Sequence, residues 1–320
     1  MQCNTCGQGG PKRSVLILLI VMAVILASGC SQSARKVSYI SDDAVSLESL
    51  SAKDDTSSMQ SKSAQELVTA GFIYLANENL RIAELHFATA LNKDPQMVNA
   101  FIGLGRIEMS KGNYSAAMVR FGQARELDPQ SVYALTGEAR ALRMEGKLNA
   151  AIKKINTAMA VDPKDINVIK ELAMIYDLMG KENLSGPLYH EILAMAPDQA
   201  ANHNNLGLNY MIRGEYPEAV LSFLHALALD KDNIRIKNNL ASAYLLSGDK
   251  GNSIEIFKGT VGEAGAYNNV GYLLMTQGNF DEAEQAFKKA LQLNPSYYVR
   301  AQENLDKLQG MRNTARASQL

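Results

Sequence analysis

The chain has 320 residues, 7% of them aromatic with no Trp, and a formal charge of −1. That balance excludes the basic footprint of a nucleic-acid binder and any field strong enough to steer a partner from a distance, while abundant Ala, Leu and Asn point toward helix. The three cysteines, Cys3, Cys6 and Cys30, all lie in the first thirty residues, so no disulfide framework holds the remainder.

The first element is a leader. Lys12 and Arg13 precede an unbroken apolar run from Val15 to Ala27, followed by small residues. The run falls short of the roughly 20 apolar residues of a spanning helix and reads as a removable secretory signal. Leu26-Ala27-Ser28-Gly29-Cys30 resembles the lipobox of bacterial lipoproteins, with Leu four places before the Cys instead of the commoner three. The resemblance implies removal of 1–29, a lipid on Cys30, and, because Ser31 and not Asp follows, an outer-membrane lipoprotein facing the periplasm. Loss of Lys12 and Arg13 would take the formal charge from −1 to −3. Cys3-x-x-Cys6 lacks the second half of a metal site and precedes the cut. Residues 30–63, rich in Ser, Asp and Lys without a sustained period, are expected to form a flexible tether with a mean reach of roughly 30 Å.

Beyond the tether the chain repeats. Pro95, Pro129, Pro163 and Pro197 are spaced by 34 residues, and so are Gly112, Gly146, Gly180, Gly214 and Gly248. This is the period of the tetratricopeptide repeat, which the chain resembles. The first unit carries Leu67, Ala70, Gly71, Tyr74, Ala83, Phe87 and Ala90 at the signature positions. The second carries Phe101, Leu104, Gly105, Ala117, Phe121 and Ala124, and the fifth Leu206, Gly207, Tyr210, Ala219, Phe223 and Ala226. Each unit predicts an apolar stripe on a helix A and another on a helix B. Gly ends helix A and Pro is expected to stop helix B.

The expected fold is all-α: a right-handed superhelical solenoid of seven repeats at 64–97, 98–131, 132–165, 166–199, 200–233, 234–263 and 264–297. Lys231 replaces the proline of the fifth unit, and the sixth is short, with a truncated helix B, a loose connection over 259–265 and a kink. Tyr267, Val270, Gly271, Ala283, Phe287, Ala290 and Pro295 recover the register. A more polar capping helix is expected at 298–309, followed by a tail at 310–320.

No chemistry is legible. His86, His190, His203 and His225 lack ligand spacing, and neither a nucleophile with its base nor a phosphate-cradling loop appears. No catalytic, cofactor-binding or metal residue is assigned, and the chain reads as a non-enzyme without cofactor, nucleic acid or small-molecule substrate.

By resemblance to the repeat family, helix A positions 2, 5, 9 and 12 would line a concave groove. These bring Phe72 and Leu75, Arg106 and Met109, Tyr133, Arg140 and Arg143, Lys170 and Met174, Leu208, Met211, Tyr272 and Met275 to that face. A basic middle flanked by Met and aromatic residues suits an extended or helical peptide with an acidic portion. Asn pairs recur at positions 5 and 6: Asn204-Asn205, Asn238-Asn239 and Asn268-Asn269. Asn is a mediocre helix former, so the recurrence has a cause beyond propensity. An amide can clamp a ligand backbone or bond a neighbouring helix. Both readings stand for position 6, and ligand contact is preferred at position 5.

The lipobox, the polar tether, the repeats and the unit running from Ala266-Tyr267-Asn268-Asn269-Val270-Gly271-Tyr272 to Asn279-Phe280-Asp281-Glu282-Ala283-Glu284 resemble the TadD lipoproteins of Flp (tight adherence) pilus systems. The resemblance implies a lipoprotein that binds pilus-assembly subunits and aids assembly or localisation of the secretin. The alternatives are a PilF-like type IV pilotin or other envelope scaffold and, from another class, a general periplasmic chaperone.

Overall fold

The computed structural model describes residues 59–294 and 298–317; the leader, Cys30, the tether up to residue 58 and Pro295 lie outside them. The described residues form fourteen helices and no strand. In chain order they are α1 (Ala64–Ala76), α2 (Leu80–Lys93), α3 (Val98–Ser110), α4 (Tyr114–Leu127), α5 (Val132–Met144), α6 (Leu148–Val161), α7 (Ile166–Leu178), α8 (Glu182–Met195), α9 (Ala200–Arg213), α10 (Tyr216–Leu229), α11 (Ile234–Leu246), α12 (Lys250–Thr276), α13 (Phe280–Leu293) and α14 (Tyr298–Ala317). They fall into two compact units, one through Ile175 and one from Tyr176 onward.

Local chemistry sets the helix ends. At the start of α1, Ser63 Oγ accepts from Glu66 N at 3.2 Å while Ser63 N donates to Glu66 Oε2 at 2.7 Å, a reciprocal cap that satisfies two otherwise orphaned donors. Asn233 caps α11 through the backbone N–H groups of Arg235 and Ile236. Between helices A and B the chain turns through a left-handed residue, such as Gly112 at φ 79°. The first repeat has Glu78 in that place, at φ 60°.

The proline is not what stops helix B. In the fifth repeat, where Lys231 replaces it, α10 still ends at Leu229, with Asp230 N donating to Ala226 O as Asp94 N does to Ala90 O. In three repeats an aspartate supports the turn: Asp94, Asp128 and Asp162 each accept through Oδ1 from the backbone N–H two residues on, at 2.9, 3.1 and 2.9 Å.

The core is built on one large side chain per repeat. Phe87, Phe223, Phe257 and Phe287 are fully buried and Phe121 nearly so, each contributing about 1.5–3 kcal/mol by burial. Phe87 lies between two backbones: a methyl on Gly71 would stand 2.6 Å from its ring, and one on Gly103 of the next repeat closer still. Phe121 is held alike between Gly105 and Gly137. Here the absence of a side chain admits the ring.

Three expectations change. The presumed tether is already docked at Met59, which is 4% exposed within the core of α1 to α3, while Lys93 Nζ donates to the carbonyls of Gln60 and Lys62 at 2.8 and 2.5 Å. The loose connection in the sixth repeat is a single residue: the two helical parts of α12 meet at Gly262, at φ 77° and ψ 170°, a conformation reserved for glycine. The terminal helix α14 continues to Ala317, past the point where a tail was expected.

Candidate functional site

In the first unit, α1, α3 and α5 present the groove residues. Phe72 is half-buried, edge-on to Phe87 at 5.0 Å, and the Arg106 guanidinium lies 5.5 Å from its ring centre. The two side chains thus form one cation-on-aromatic surface. Met109 packs in the same apolar cluster as Phe72. Leu75 is buried, and Tyr133 is 56% exposed.

Next along the repeats comes a carboxylate that the register assigned to no site. Glu171 is fully buried. Arg140 Nε reaches its Oε2 at 3.2 Å, Arg143 Nη2 the same oxygen at 3.5 Å, and Arg143 Nε its other oxygen. The basic middle expected of the groove is therefore partly spent inside the protein, with two guanidinium groups around one carboxylate. Lys170 is half-buried beside this pair, and burial, then the Arg140 charge, push its ammonium below the usual lysine range. Met174 is half-buried on the same helix. A second buried carboxylate, Glu138, is bracketed by Arg125 Nε at 3.1 and 3.2 Å and Lys154 Nζ at 2.6 Å. Neither acid carried a sequence signal beyond its type, since a Glu on a helix normally reads as solvated.

In the second unit the asparagines stack. Asn239 Nδ2 donates to Asn204 Oδ1 at 2.8 Å, Thr260 Oγ1 to Asn238 Oδ1 at 2.9 Å, and Asn304 Nδ2 to Asn268 Oδ1 at 3.0 Å. Each position-5 carbonyl is thus taken by another helix, where ligand contact had been preferred. Asn204, Asn238, Asn239, Asn268 and Asn269 are all buried, and only Asn205 of the six is half-exposed. The pairing follows from burial: an unpaired amide in a helix interface costs about 1–3 kcal/mol, which a facing helix relieves for Asn204, Asn238, Asn239 and Asn268, while Asn269 Nδ2 is buried with no partner. Met211 and Met275 are also buried, at 0% and 5% exposure, within the apolar clusters around Phe223 and Phe287, so neither lines a surface. Leu208 and Tyr272 are half-buried against the same clusters.

A polar knot was missed. Asp177 is buried and accepts from Tyr189 Oη at 2.7 Å and Asn209 Nδ2 at 2.8 Å, and Asn209 Nδ2 also reaches Ser185 Oγ at 2.9 Å. Burial pushes the Asp177 carboxyl up, against the pull of these hydrogen bonds. The fourth repeat did carry a signal: Ser185 stands where most other units place Ala, and Tyr189 where most place Phe.

Among the described residues, no group of three or more His, Cys, Asp and Glu could hold a metal ion, and no helix is long and apolar enough to cross a membrane. What the surfaces offer is recognition: an aromatic face, guanidinium groups and half-buried methionine.

Paired helices closed by left-handed turns, with one large buried side chain per repeat, define a helical-repeat protein. Tetratricopeptide-repeat profiles match residues 69–121, 108–175 and 264–297, and a further TPR-repeat profile matches 207–248. Together these span more than half of the chain, and it belongs to the tetratricopeptide-repeat family, whose repeats serve as scaffolds for protein–protein interaction and are typically non-enzymatic. Among solved structures, a tetratricopeptide-repeat protein from Parabacteroides merdae is similar at 18% identity and a TM-score of 0.53, covering 77% of this chain and 98% of its own. PilF of Pseudomonas aeruginosa is similar at 14% identity and a TM-score of 0.50, covering 78% and 97%. The human IFIT1 dimer reaches a TM-score of 0.62 at 18% identity, covering 79% of this chain and 65% of that one. At these identities the likeness is one of fold. No curated protein sequence matches the chain.

Proposed function

We propose that this protein is a lipid-anchored scaffold that holds a segment of an envelope-assembly subunit, acting as the TadD-like resemblance implies in Flp pilus assembly and aiding assembly or localisation of the secretin at the outer membrane. The observation that carries the binding role is the partly exposed row of Phe72 under Arg106, Met109, and Arg140 beside Lys170 on successive helices A of the first unit. A row of this kind suits an extended peptide that pairs an apolar side chain with a carboxylate. The lipobox at Cys30 supplies the anchor. A PilF-like role in a type IV pilus is the second reading, motivated by the likeness of fold.

Capture of the secretin by the full chain tests both parts. Substituting Arg106→Ala with Tyr133→Ala should weaken capture roughly tenfold or more, the usual effect of removing anchoring aromatic and Arg side chains. Unchanged capture would remove the groove from this face, and equal affinity for unrelated denatured proteins would point to a general chaperone. Cys30→Ser should abolish acylation and release the chain from the outer-membrane fraction. Retention there would rule out the lipid as its anchor.

A further inference from the structure

The geometry points to a two-imidazole metal site formed by His203 of α9 and His225 of α10, suited to a borderline divalent ion such as Zn(II) or Ni(II). The two residues stand 22 positions apart in sequence, so no ligand spacing announces them; packing of helix A on helix B within the fifth repeat brings them together. Their ring centres are 5.7 Å apart with the planes 31° from parallel. A metal bound about 2.0–2.1 Å from an imidazole nitrogen sits about 3 Å from the ring centre, so two coordinating rings have centres roughly 4.5–6 Å apart.

A second observation concerns the proton. His203 Nε2 lies 2.8 Å from the carbonyl oxygen of Pro197. A carbonyl only accepts, so Nε2 carries the hydrogen, and in the neutral ring Nδ1 is left with the lone pair. Orientation of one imidazole nitrogen by a backbone carbonyl is the usual support of a metal-binding histidine. His225 is exposed, and its ring stands beside that of His203. Two imidazoles and water would complete the shell, and such nitrogen ligands select Zn, Cu and Ni over Mg and Ca. Bound metal would clip α9 to α10 within the fifth repeat, where Lys231 replaces the proline.

The test is a Zn(II) titration of the nitrogen-15-labelled full chain with its three cysteines alkylated, followed through the imidazole resonances. His203 and His225 signals should shift together and saturate at micromolar Zn(II), while those of His86 and His190 stay in place and Mg(II) moves none. His225→Ala changes an exposed side chain and should leave thermal unfolding unaltered while weakening Zn(II) binding by about tenfold or more, since it removes one of only two protein ligands. His190→Ala should bind as the parent does. Absence of coupled shifts up to about 1 mM Zn(II), or equal affinity in the His225→Ala chain, would reduce the pair to an ordinary ring contact and overturn the site.

Discussion

Glu78 is a charged residue in a left-handed turn that every later repeat gives to glycine. The left-handed conformation costs an L-residue roughly 1–2 kcal/mol, partly offset by the extra unfolded-state freedom that glycine would bring. Glu78→Gly should therefore stabilise the chain by a net of about 0.5–1 kcal/mol, seen as a higher urea midpoint with an unchanged slope. Tyr189→Phe, which installs the residue most other repeats carry there, should do the opposite. It strips Asp177 of one hydrogen bond in a buried setting and costs about 1–3 kcal/mol. The sign with pH follows from the direction of the shift. Asp177 has a folded pKa raised above its unfolded value, so its favourable contribution is complete below the ordinary aspartate value near 3.9 and is lost as pH rises through the folded pKa. Tyr189→Phe raises that pKa further. The deficit of the variant should thus be smallest in acid, grow as pH climbs through this window and then level off, which chemical denaturation at a series of pH values would show; a deficit independent of pH would remove Asp177 from the explanation.

Among the elements, the helix ends were the most legible, because Gly and Asp-Pro mark them in register. The cause was assigned to the wrong residue, however. The turn after α10 keeps its hydrogen bonds with Lys231 in the proline's place, and Asn233 N donates to Asp230 O as Ser131 N does to Asp128 O. These backbone hydrogen bonds match those of the proline-bearing repeats. Lys231→Pro should consequently stabilise by about 0.4–1 kcal/mol through the unfolded chain, and a fall in the thermal midpoint would show that the turn is not equivalent to its relatives. The sixth repeat shows the limit of pattern reading. Four missing residues announced an irregularity, but only the backbone shows it to be confined to Gly262. The asparagine pairs were legible as a pattern and ambiguous as chemistry, because an amide at one helical position bonds equally well to a ligand or to a neighbouring helix. Burial decides between them, and burial depends on the adjacent repeat.

For the molecule as a whole, periodicity revealed that it is an array of repeats and concealed how the repeats differ. Position 6 of helix A is Gly103 and Gly137 in the second and third units, Glu171 in the fourth, and Asn205, Asn239 and Asn269 thereafter. Four of these choices answer the repeat before: glycine receives Phe87 or Phe121, Glu171 receives Arg140 and Arg143, and Asn239 bonds Asn204. The repeats are therefore not interchangeable parts. Excision of residues 132–165, a full period, would keep the turn pattern, with Ser131 in place of Asp165 before α7, yet set Phe121 against Glu171 in place of Gly137, and leave that acid only Arg106 and Met109 at the positions Arg140 and Arg143 had held. A buried acid without its partners costs about 3–5 kcal/mol, so the shortened chain should unfold far more easily than loss of one repeat alone would explain. Glu171→Gly in the same background should recover most of that difference in a urea titration. An array that grew by copying has in this way acquired an order of its own, in which a unit can no longer be lost by slippage without being missed by its neighbours.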